Sequence, residues 1–293
     1  MKIPFYQVDV FTNSPLGGNP LAVFPDASGL DESLLLRIAR EMNLSETVFL
    51  YPSDSESVDY RMRIFTPAKE IPFAGHPVIG TAYVICKTGM RVKSKNSVQL
   101  GLPAQTISVV SGNEDEYFME QPEAQFGKTM NDLELIAKAV NLDSRLIGGV
   151  AEPQVCSTGL AALYVSIDGL KSIENIMING QSLNALLDLS RVDMLYVFTL
   201  ETQGASVHSR SFAPGIGIPE DPATGSAAGA LSAYLAKNEV LDKETLKHFV
   251  IEQGYEINRP SQIIAGIEWE SGSQMKIKVG GSSVLIIEGQ MMI

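Results

Sequence analysis

The sequence predicts an α+β protein made of two similar halves, each a curved β-sheet wrapped around one central helix. Three observations predict this fold: a motif that occurs twice about half a chain length apart, a small-residue helix after each copy, and many short strand-like runs. The 293 residues leave room for two cores of about 100–150 residues each. We therefore interpret the chain as an internal duplication with pseudo-two-fold symmetry.

The repeated motif reads R-x-F-x-P, followed by E-x-P-x-x-G. Its copies are Arg63–His76 and Arg210–Ser226, and the second contains three extra residues. The two arginines that begin the copies are 147 residues apart, and the glycines that end the motif, Gly75 and Gly225, are 150 apart.

Two weaker matches lie upstream of the motif in the same order. Leu44–Tyr51 and Val192–Phe198 each precede one copy, and Gly18–Phe24 resembles Thr158–Val165. Chance agreement among Gly, Pro and Ala is the alternative explanation, but the shared order and spacing favour duplication.

Helix signals are clear at three places. Asp31–Asn43 begins with an acidic cap and has leucine, isoleucine and methionine at helical spacing, which predicts an amphipathic helix. Pro77–Cys86 and Ala227–Ala236 contain few charges, which is typical of helices buried on most sides.

The other elements are predicted as strands, among them SVQLGL, TISVV, QMKIKV and SVLIIEG. The polar segment EDEYFMEQPE (residues 114–123) indicates a domain boundary. We predict an N-terminal domain over residues 1–118 and a C-terminal domain over 119–282. The last strand, about 283–293, is expected to return to the first domain.

Composition excludes several function classes. A net charge of −12 and a pI near 4.8 disfavour nucleic-acid binding. No apolar run suits a signal peptide or a membrane span. The two cysteines, Cys86 and Cys156, form no metal-ligand cluster, and the three histidines are far apart in the sequence. We therefore expect a cytoplasmic protein without a metal site.

The two glycine turns predict an anion site. Gly75 and Gly225 each precede a buried helix, where the N–H groups of the first turn and the helix dipole attract a negative charge. Two matching turns would hold a small carboxylate with backbone amides, although each turn could also be an ordinary helix start.

Neither cysteine lies at a glycine turn, so a racemase that uses two thiols is disfavoured. Cys86 is expected to pack inside the first helix, and Cys156 is expected to be structural.

Carboxylates and a histidine remain as proton-transfer groups. Glu46 is the only charge in an otherwise apolar strand, although an edge residue facing solvent would look the same. Asp221 could act in the site or simply cap a helix. Burial would bring a carboxylate towards the range in which it shuttles protons near neutral pH, and a neutral His76 could hold a substrate oxygen.

Several segments together resemble the PhzF-like phenazine-biosynthesis isomerase family: V-D-V-F-T, G-G-N-P-L-A-V, L-S-E-T-V-F, F-A-G-H-P, P-E-D-P-A-T-G-S-A and Q-G…R-P-S. The match covers nearly the whole chain. The resemblance implies the diaminopimelate-epimerase-like fold, with two barrel-like domains and an active site in the cleft between them. It also implies a homodimer that needs no cofactor or metal.

The resemblance also implies residue roles. Glu46 of the S-E-T motif would be the general acid/base, and His76 and Asp221 would line the site as catalytic residues. The substrate-binding residues implied or predicted beside them are Ser45, Gly75, Gly225 and Ser226.

The function predicted from this resemblance is a cofactor-independent isomerase or epimerase that moves a proton on a small carboxylate substrate. A catalytically silent binding protein is the alternative from another class. A lyase or an epimerase that shares the proton-abstraction step is the alternative within the enzyme class.

Overall fold

Two 13-residue helices of small and apolar residues organise the chain, one in each of its two units. The computed structural model describes residues 1–103, 105–113, 115–270 and 274–293. The first unit comprises Met1–Glu120 together with Gly280–Ile293, and the second comprises Gln121–Val279. Glu114, the first residue of the predicted boundary segment, lies outside the described residues.

The first unit has a mixed sheet and, in the part of it that the structure describes, two helices. Its elements are β1 (Lys2–Val10), β2 (Asn19–Phe24), α1 (Glu32–Met42), β3 (Glu46–Pro52), β4 (Tyr60–Phe65), β5 (Glu70–Ile71), α2 (Gly75–Lys87), β6 (Ser97–Gly101), β7 (Thr106–Ser111) and β8 (Glu116–Glu120).

The second unit has a similar sheet and four α-helices among its described residues. Its elements are β9 (Gln125–Thr129), α3 (Leu133–Val140), β10 (Gln154–Ser157), β11 (Ala161–Ser166), α4 (Leu170–Glu174), α5 (Gly180–Ser190), β12 (Leu195–Thr199), β13 (Val207–Ala213), β14 (Ile218–Asp221), α6 (Gly225–Lys237), β15 (Phe249–Gln253), β16 (Ser261–Trp269) and the start of β17 (Met275–Met292). Short 3₁₀ turns occur at Ser144–Leu146, Pro214–Ile216, Thr245–Lys247 and Tyr255–Ile257.

The predicted duplication is confirmed by strand pairing. In the first unit the neighbours β1–β2, β2–β3, β3–β4, β4–β6 and β6–β7 pair antiparallel, parallel, antiparallel, parallel and antiparallel. In the second unit β10–β11, β11–β12, β12–β13, β13–β15 and β15–β16 repeat the same five senses in the same order. One strand–helix plan is therefore built twice, as an α+β fold.

The central helix of each unit is buried along most of its length. The first eleven residues of α2 and of α6 are all buried. Helix α2 packs on β1, β2, β3, β7 and β8. At Gly80 the approach is so close that a Cβ would lie 2.6 Å from Val10 Cγ2 and 2.8 Å from Leu21 Cδ2. The side chains of Val10 and Leu21 therefore face α2, and we call this the inner face of the first sheet.

The opposite face of the first sheet is covered by α1. The predicted acidic cap is confirmed, because the Asp31 carboxylate accepts a hydrogen bond from Ser33 N at 2.9 Å. Leu35 and Ile38 of this helix are buried in a cluster with Phe24 and Phe49, whose rings stack at 5.1 Å.

The arginine and glutamate of the repeated motif form the same ion pair in both units. Arg63 donates two hydrogen bonds to Glu70, at 2.7 and 2.6 Å, and Arg210 donates two to Glu220, both at 2.8 Å. Each guanidinium also lies over the motif phenylalanine, at 5.2 and 5.1 Å from the ring centre. These residues hold the hairpin that leads into each glycine turn.

One prediction about packing is wrong. Cys86, expected inside the first buried helix, is exposed, because it lies in the last turn of α2, beyond the buried stretch. Both buried helices also begin at the glycine, two residues before the predicted starts. Among the described residues, no helix has the length and apolar character needed to span a membrane.

The two motif ion pairs should differ in strength, because only one of them is buried. The side chains of Arg210 and Glu220 are 8% and 13% exposed, whereas those of Arg63 and Glu70 are 26% and 34% exposed. Arg210→Met is expected to lower the free energy of unfolding by about 3–5 kcal/mol, because it leaves a largely buried carboxylate without its partner. Arg63→Met should cost about 0–1 kcal/mol. Urea unfolding of both variants measures the difference, and equal losses would contradict the assignment.

Candidate active site

Glu46 is the first residue of β3 and faces the buried helix α2. It is in parallel register with Leu21, whose side chain contacts the position of Gly80, and residues paired across strands share a face. Glu46 is only 6% exposed. This burial excludes the alternative that Glu46 is a solvent-facing edge residue.

His76 reaches the Glu46 carboxylate from the first turn of α2. Its Nε2 lies 3.3 Å from Glu46 Oε2, and both side chains are less than a tenth exposed. The imidazole and the carboxylate are not oriented for a hydrogen bond with each other. His76 Nε2 has no hydrogen-bond partner within the described part of the chain. A buried ring nitrogen without a hydrogen-bond partner is suited to form a hydrogen bond with a polar group of a bound molecule.

The imidazole of His76 is neutral at physiological pH. Complete burial disfavours its charged form and lowers the pKa of His76 to about 3. A neutral imidazole carries one N–H donor and one acceptor nitrogen. His76 is therefore equipped to hold or polarise a substrate oxygen without adding a positive charge.

The start of α2 lacks a side-chain cap. Its N-cap residue is Ala74, and Gly75 and His76 follow as the first two helical residues, with no side-chain cap hydrogen bond. N–H groups of an uncapped first turn, together with the helix dipole, favour an anion. This geometry fits the predicted carboxylate site at Gly75.

The second glycine turn has its own polar set. Asp221, 7% exposed, ends β14, and its Oδ2 accepts a hydrogen bond of 2.6 Å from Thr224 Oγ1. The N-cap of α6 is Thr224, again without a side-chain cap bond. Gly225 and Ser226 are the first two helical residues, both buried, and the Ser226 carbonyl accepts from Thr158 Oγ1 at 3.1 Å.

Equivalent positions of the two repeats carry different chemistry. The motif aligns His76 with Ser226 and Ile71 with Asp221. Thr47 pairs with Phe65, the phenylalanine of the first motif copy, and Leu195 pairs with Phe212, that of the second. Thr47 and Leu195 are therefore equivalent, and the residues before them, Glu46 and Met194, are equivalent as well. The first unit therefore carries a carboxylate and an imidazole, and the second unit carries a carboxylate at a different position and a hydroxyl.

The remaining predicted residue is Ser45, which is half-buried in the bend before β3. The structure brings Glu46, His76 and Gly75 together in the first unit, and Asp221, Gly225 and Ser226 in the second. That both sets serve one substrate stays a prediction. Sequence reasoning missed Thr224, although it lies inside the P-E-D-P-A-T-G-S segment beside the aspartate it binds.

Neither thiol belongs to these two sets. Cys156 is fully buried, with its Sγ 3.5 Å from the carbonyl oxygen of Ala230, which agrees with the structural role predicted for it. Burial raises the pKa of Cys156 to about 12, so its reactive thiolate form is suppressed.

Comparisons with known proteins agree with the resemblance. Trans-2,3-dihydro-3-hydroxyanthranilate isomerase of Pseudomonas chlororaphis is 32% identical, with 96% of both chains covered. An uncharacterized isomerase of Clostridium acetobutylicum is 30% identical over 100% of this chain and 99% of its own. A PhzF family phenazine biosynthesis protein of Bacillus anthracis has a TM-score of 0.90 at 27% identity, with both chains fully covered.

The fold and these relatives define an isomerase with the diaminopimelate-epimerase-like α+β fold. Residues 8–289 match the family described as phenazine biosynthesis-like protein (PhzC-PhzF). The chain belongs to this family.

The neutral state of His76 predicts a pH dependence of stability. Its pKa of about 3 in the folded chain lies below the unfolded value of about 6.5. The unfolded chain therefore gains a proton first as the pH falls through this window, and the stability that His76 contributes is lost. Between pH 7 and pH 5 the loss should be about 2 kcal/mol.

His76→Asn should remove this part of the pH dependence, measured by urea unfolding at pH 7 and pH 5. The control is His248→Asn, because His248 is exposed and its replacement should leave the dependence unchanged. A variant at His76 that behaves like this control would show that folding does not lower the pKa of His76.

Proposed function

We propose that the chain is a cofactor-independent isomerase that moves a proton on a small carboxylate substrate, with Glu46 as the general acid/base. The observation that carries this proposal is the buried contact of 3.3 Å between Glu46 Oε2 and His76 Nε2 at an uncapped helix start. A carboxylate, a neutral imidazole and an anion-binding helix start are the three parts that such a reaction needs.

In the proposed reaction Glu46 removes a proton from a carbon next to an acidifying group. The electron pair of the broken C–H bond is delocalised into the substrate, and protonated Glu46 returns the proton at another carbon. Neutral His76 hydrogen-bonds the substrate oxygen on which charge develops. The N–H groups that begin α2 hold the substrate carboxylate, and Ser45, Asp221, Gly225 and Ser226 are proposed as substrate-binding residues.

The substrate class is proposed from the relatives. Several of them are named trans-2,3-dihydro-3-hydroxyanthranilate isomerase, which points to a small cyclic amino and hydroxy acid as the first compound to test. Backbone N–H groups bind such an anion without a basic side chain, which suits a chain with a net charge of −12.

Glu46→Gln should keep substrate binding and lose catalysis. The test follows deuterium incorporation from D₂O into trans-2,3-dihydro-3-hydroxyanthranilate by NMR, with binding measured by calorimetry. We expect the exchange rate to fall by about 10²–10⁴-fold, because the amide cannot accept the proton. Glu41→Gln, at an exposed helix position, is the matched control and should exchange at the normal rate.

Normal turnover by Glu46→Gln would overturn the assignment of the base. Binding without deuterium exchange in the unaltered chain would favour a silent binding protein, and elimination of a group would favour a lyase.

We further propose, from the family likeness, a cytoplasmic homodimer that needs no metal. Sedimentation velocity should give a species of twice the 31.7 kDa chain mass, and prior treatment with EDTA should leave the deuterium-exchange rate unchanged. A monomer, or activity restored only by added metal, would contradict these two proposals.

A further inference from the structure

A buried glutamine connects the second glycine turn to β15 and β12. Gln253 ends β15 and is fully buried. Its Oε1 accepts a hydrogen bond from Thr224 N at 3.2 Å and lies 3.2 Å from Tyr196 Oη, whose one hydrogen is shared with Ser209 Oγ at 2.9 Å. Its Nε2 donates to the Asp221 carbonyl at 2.7 Å and to Thr224 Oγ1 at 3.1 Å. The amide therefore makes four polar contacts, three of them with Thr224 and Asp221.

These bonds fix the direction of the next one. Because Thr224 Oγ1 accepts from Gln253 Nε2, its own hydrogen is available for the Asp221 carboxylate, which it meets at 2.6 Å. The hydroxyl cannot turn its hydrogen towards Gln253 without facing an N–H donor. The chain Gln253–Thr224–Asp221 therefore holds the carboxylate in one orientation.

The residue after this glutamine packs against the same turn. Gly254 has φ +81°, and a Cβ there would lie 2.6 Å from the Pro222 carbonyl oxygen and 2.4 Å from that of Arg259. Only glycine fits this close approach. Gln253 and Gly254 thus support the Asp221–Pro222 backbone from two sides.

A second network fixes the opposite side of the same strand. Glu252 Oε1 lies 2.9 Å from His208 Nδ1, while His208 Nε2 lies 2.7 Å from Glu256 Oε1. His208 pairs with Glu252 in the β13–β15 ladder, next to the Ser209–Gln253 pair. The strand position that carries Gln253 is therefore held by buried polar contacts as well as by the ladder.

The first repeat lacks this arrangement. Gly101 in the pairing of β4 with β6 takes the place that Glu252 has in the pairing of β13 with β15. The next residue, Leu102, is therefore the counterpart of Gln253. The motif aligns Ala74 with Thr224. The polar support occurs where the turn carries a carboxylate, Asp221, and is replaced by apolar residues where the turn carries Ile71.

We propose that Gln253 is a positioning residue that sets the orientation of the Asp221 carboxylate and of the Thr224 amide at the start of α6. The assignment of Asp221 to the active site rests on the proposed function, whereas the effect of Gln253 on the turn does not.

The first test measures the turn without any substrate. Hydrogen–deuterium exchange of the peptide covering residues 220–226 is followed in Gln253→Met, which keeps the side-chain length and removes all four polar contacts. Exchange is expected to become about tenfold faster, the effect of losing roughly one hydrogen bond. Gln154→Met is the matched control, because Gln154 is a buried glutamine that bonds instead to Gly127 and Lys237.

Two results would overturn the proposal at this stage. One is a Gln253→Met exchange rate equal to that of the unaltered chain, and the other is an equal acceleration of this peptide in Gln154→Met. A uniform acceleration of all peptides in Gln253→Met would show global destabilisation. The milder Thr224→Val, which removes only the hydroxyl that links Gln253 to Asp221, then decides by whether acceleration is confined to residues 220–226.

The second test measures the consequence for catalysis, with deuterium exchange into trans-2,3-dihydro-3-hydroxyanthranilate as the readout. Thr224→Val should lower kcat by about 10–100-fold, with a smaller effect on KM, because a displaced group near the reacting atoms affects the transition state most. Thr224→Ser, which keeps the hydroxyl, should restore most of kcat.

Equal activity of the valine and serine variants would overturn the positioning role. If the unaltered chain shows no exchange with this compound, the proposed substrate fails, while the substrate-free exchange of residues 220–226 still decides the role of Gln253.

Discussion

Complete burial of two helix starts is the constraint on which the candidate site depends. Helices α2 and α6 are buried from their first residue onward, so the N–H groups of their first turns are shielded from bulk water. Buried backbone groups require partners, and neither helix has a side-chain cap. The dipole of each helix adds a positive potential at the same place. A protein built on this plan carries two positions that favour an anion before any catalytic residue is added.

The duplication separates what is structural in the repeated motif from what is chemical. Arg63–Glu70 and Arg210–Glu220 form the same bidentate pair, so these motif residues build the hairpin. The differences lie next to the helix starts, where His76 aligns with Ser226. The repeated scaffold thus carries a different set of polar groups in each unit.

The sequence predicts the plan of the fold because its signals are local or repeated. The helix at Asp31–Asn43, the small-residue helices and the motif spacing are all visible without tertiary information. The burial of Glu46 cannot be predicted from the sequence, because the register with Leu21 decides which face of the sheet its side chain is on. The support from Gln253 depends likewise on the parallel pairing of β13 with β15, which joins segments more than forty residues apart. The prediction for Cys86 is wrong because helical periodicity does not show where the buried part of a helix ends.

The motif arginines are not the source of the positive potential at the helix starts. Neither arginine is available to a ligand at a helix start, because each is paired with its own glutamate, and Arg63 lies beside Phe49 on the face that α1 covers. With His76 neutral as well, the positive potential at these helix starts comes from backbone N–H groups and helix dipoles. Such donors bind a carboxylate without placing a full positive charge beside Glu46, the proposed base. A full positive charge there would stabilise the ionised carboxylate and weaken it as a proton acceptor. The roles proposed for the helix starts and for Glu46 are therefore compatible with each other.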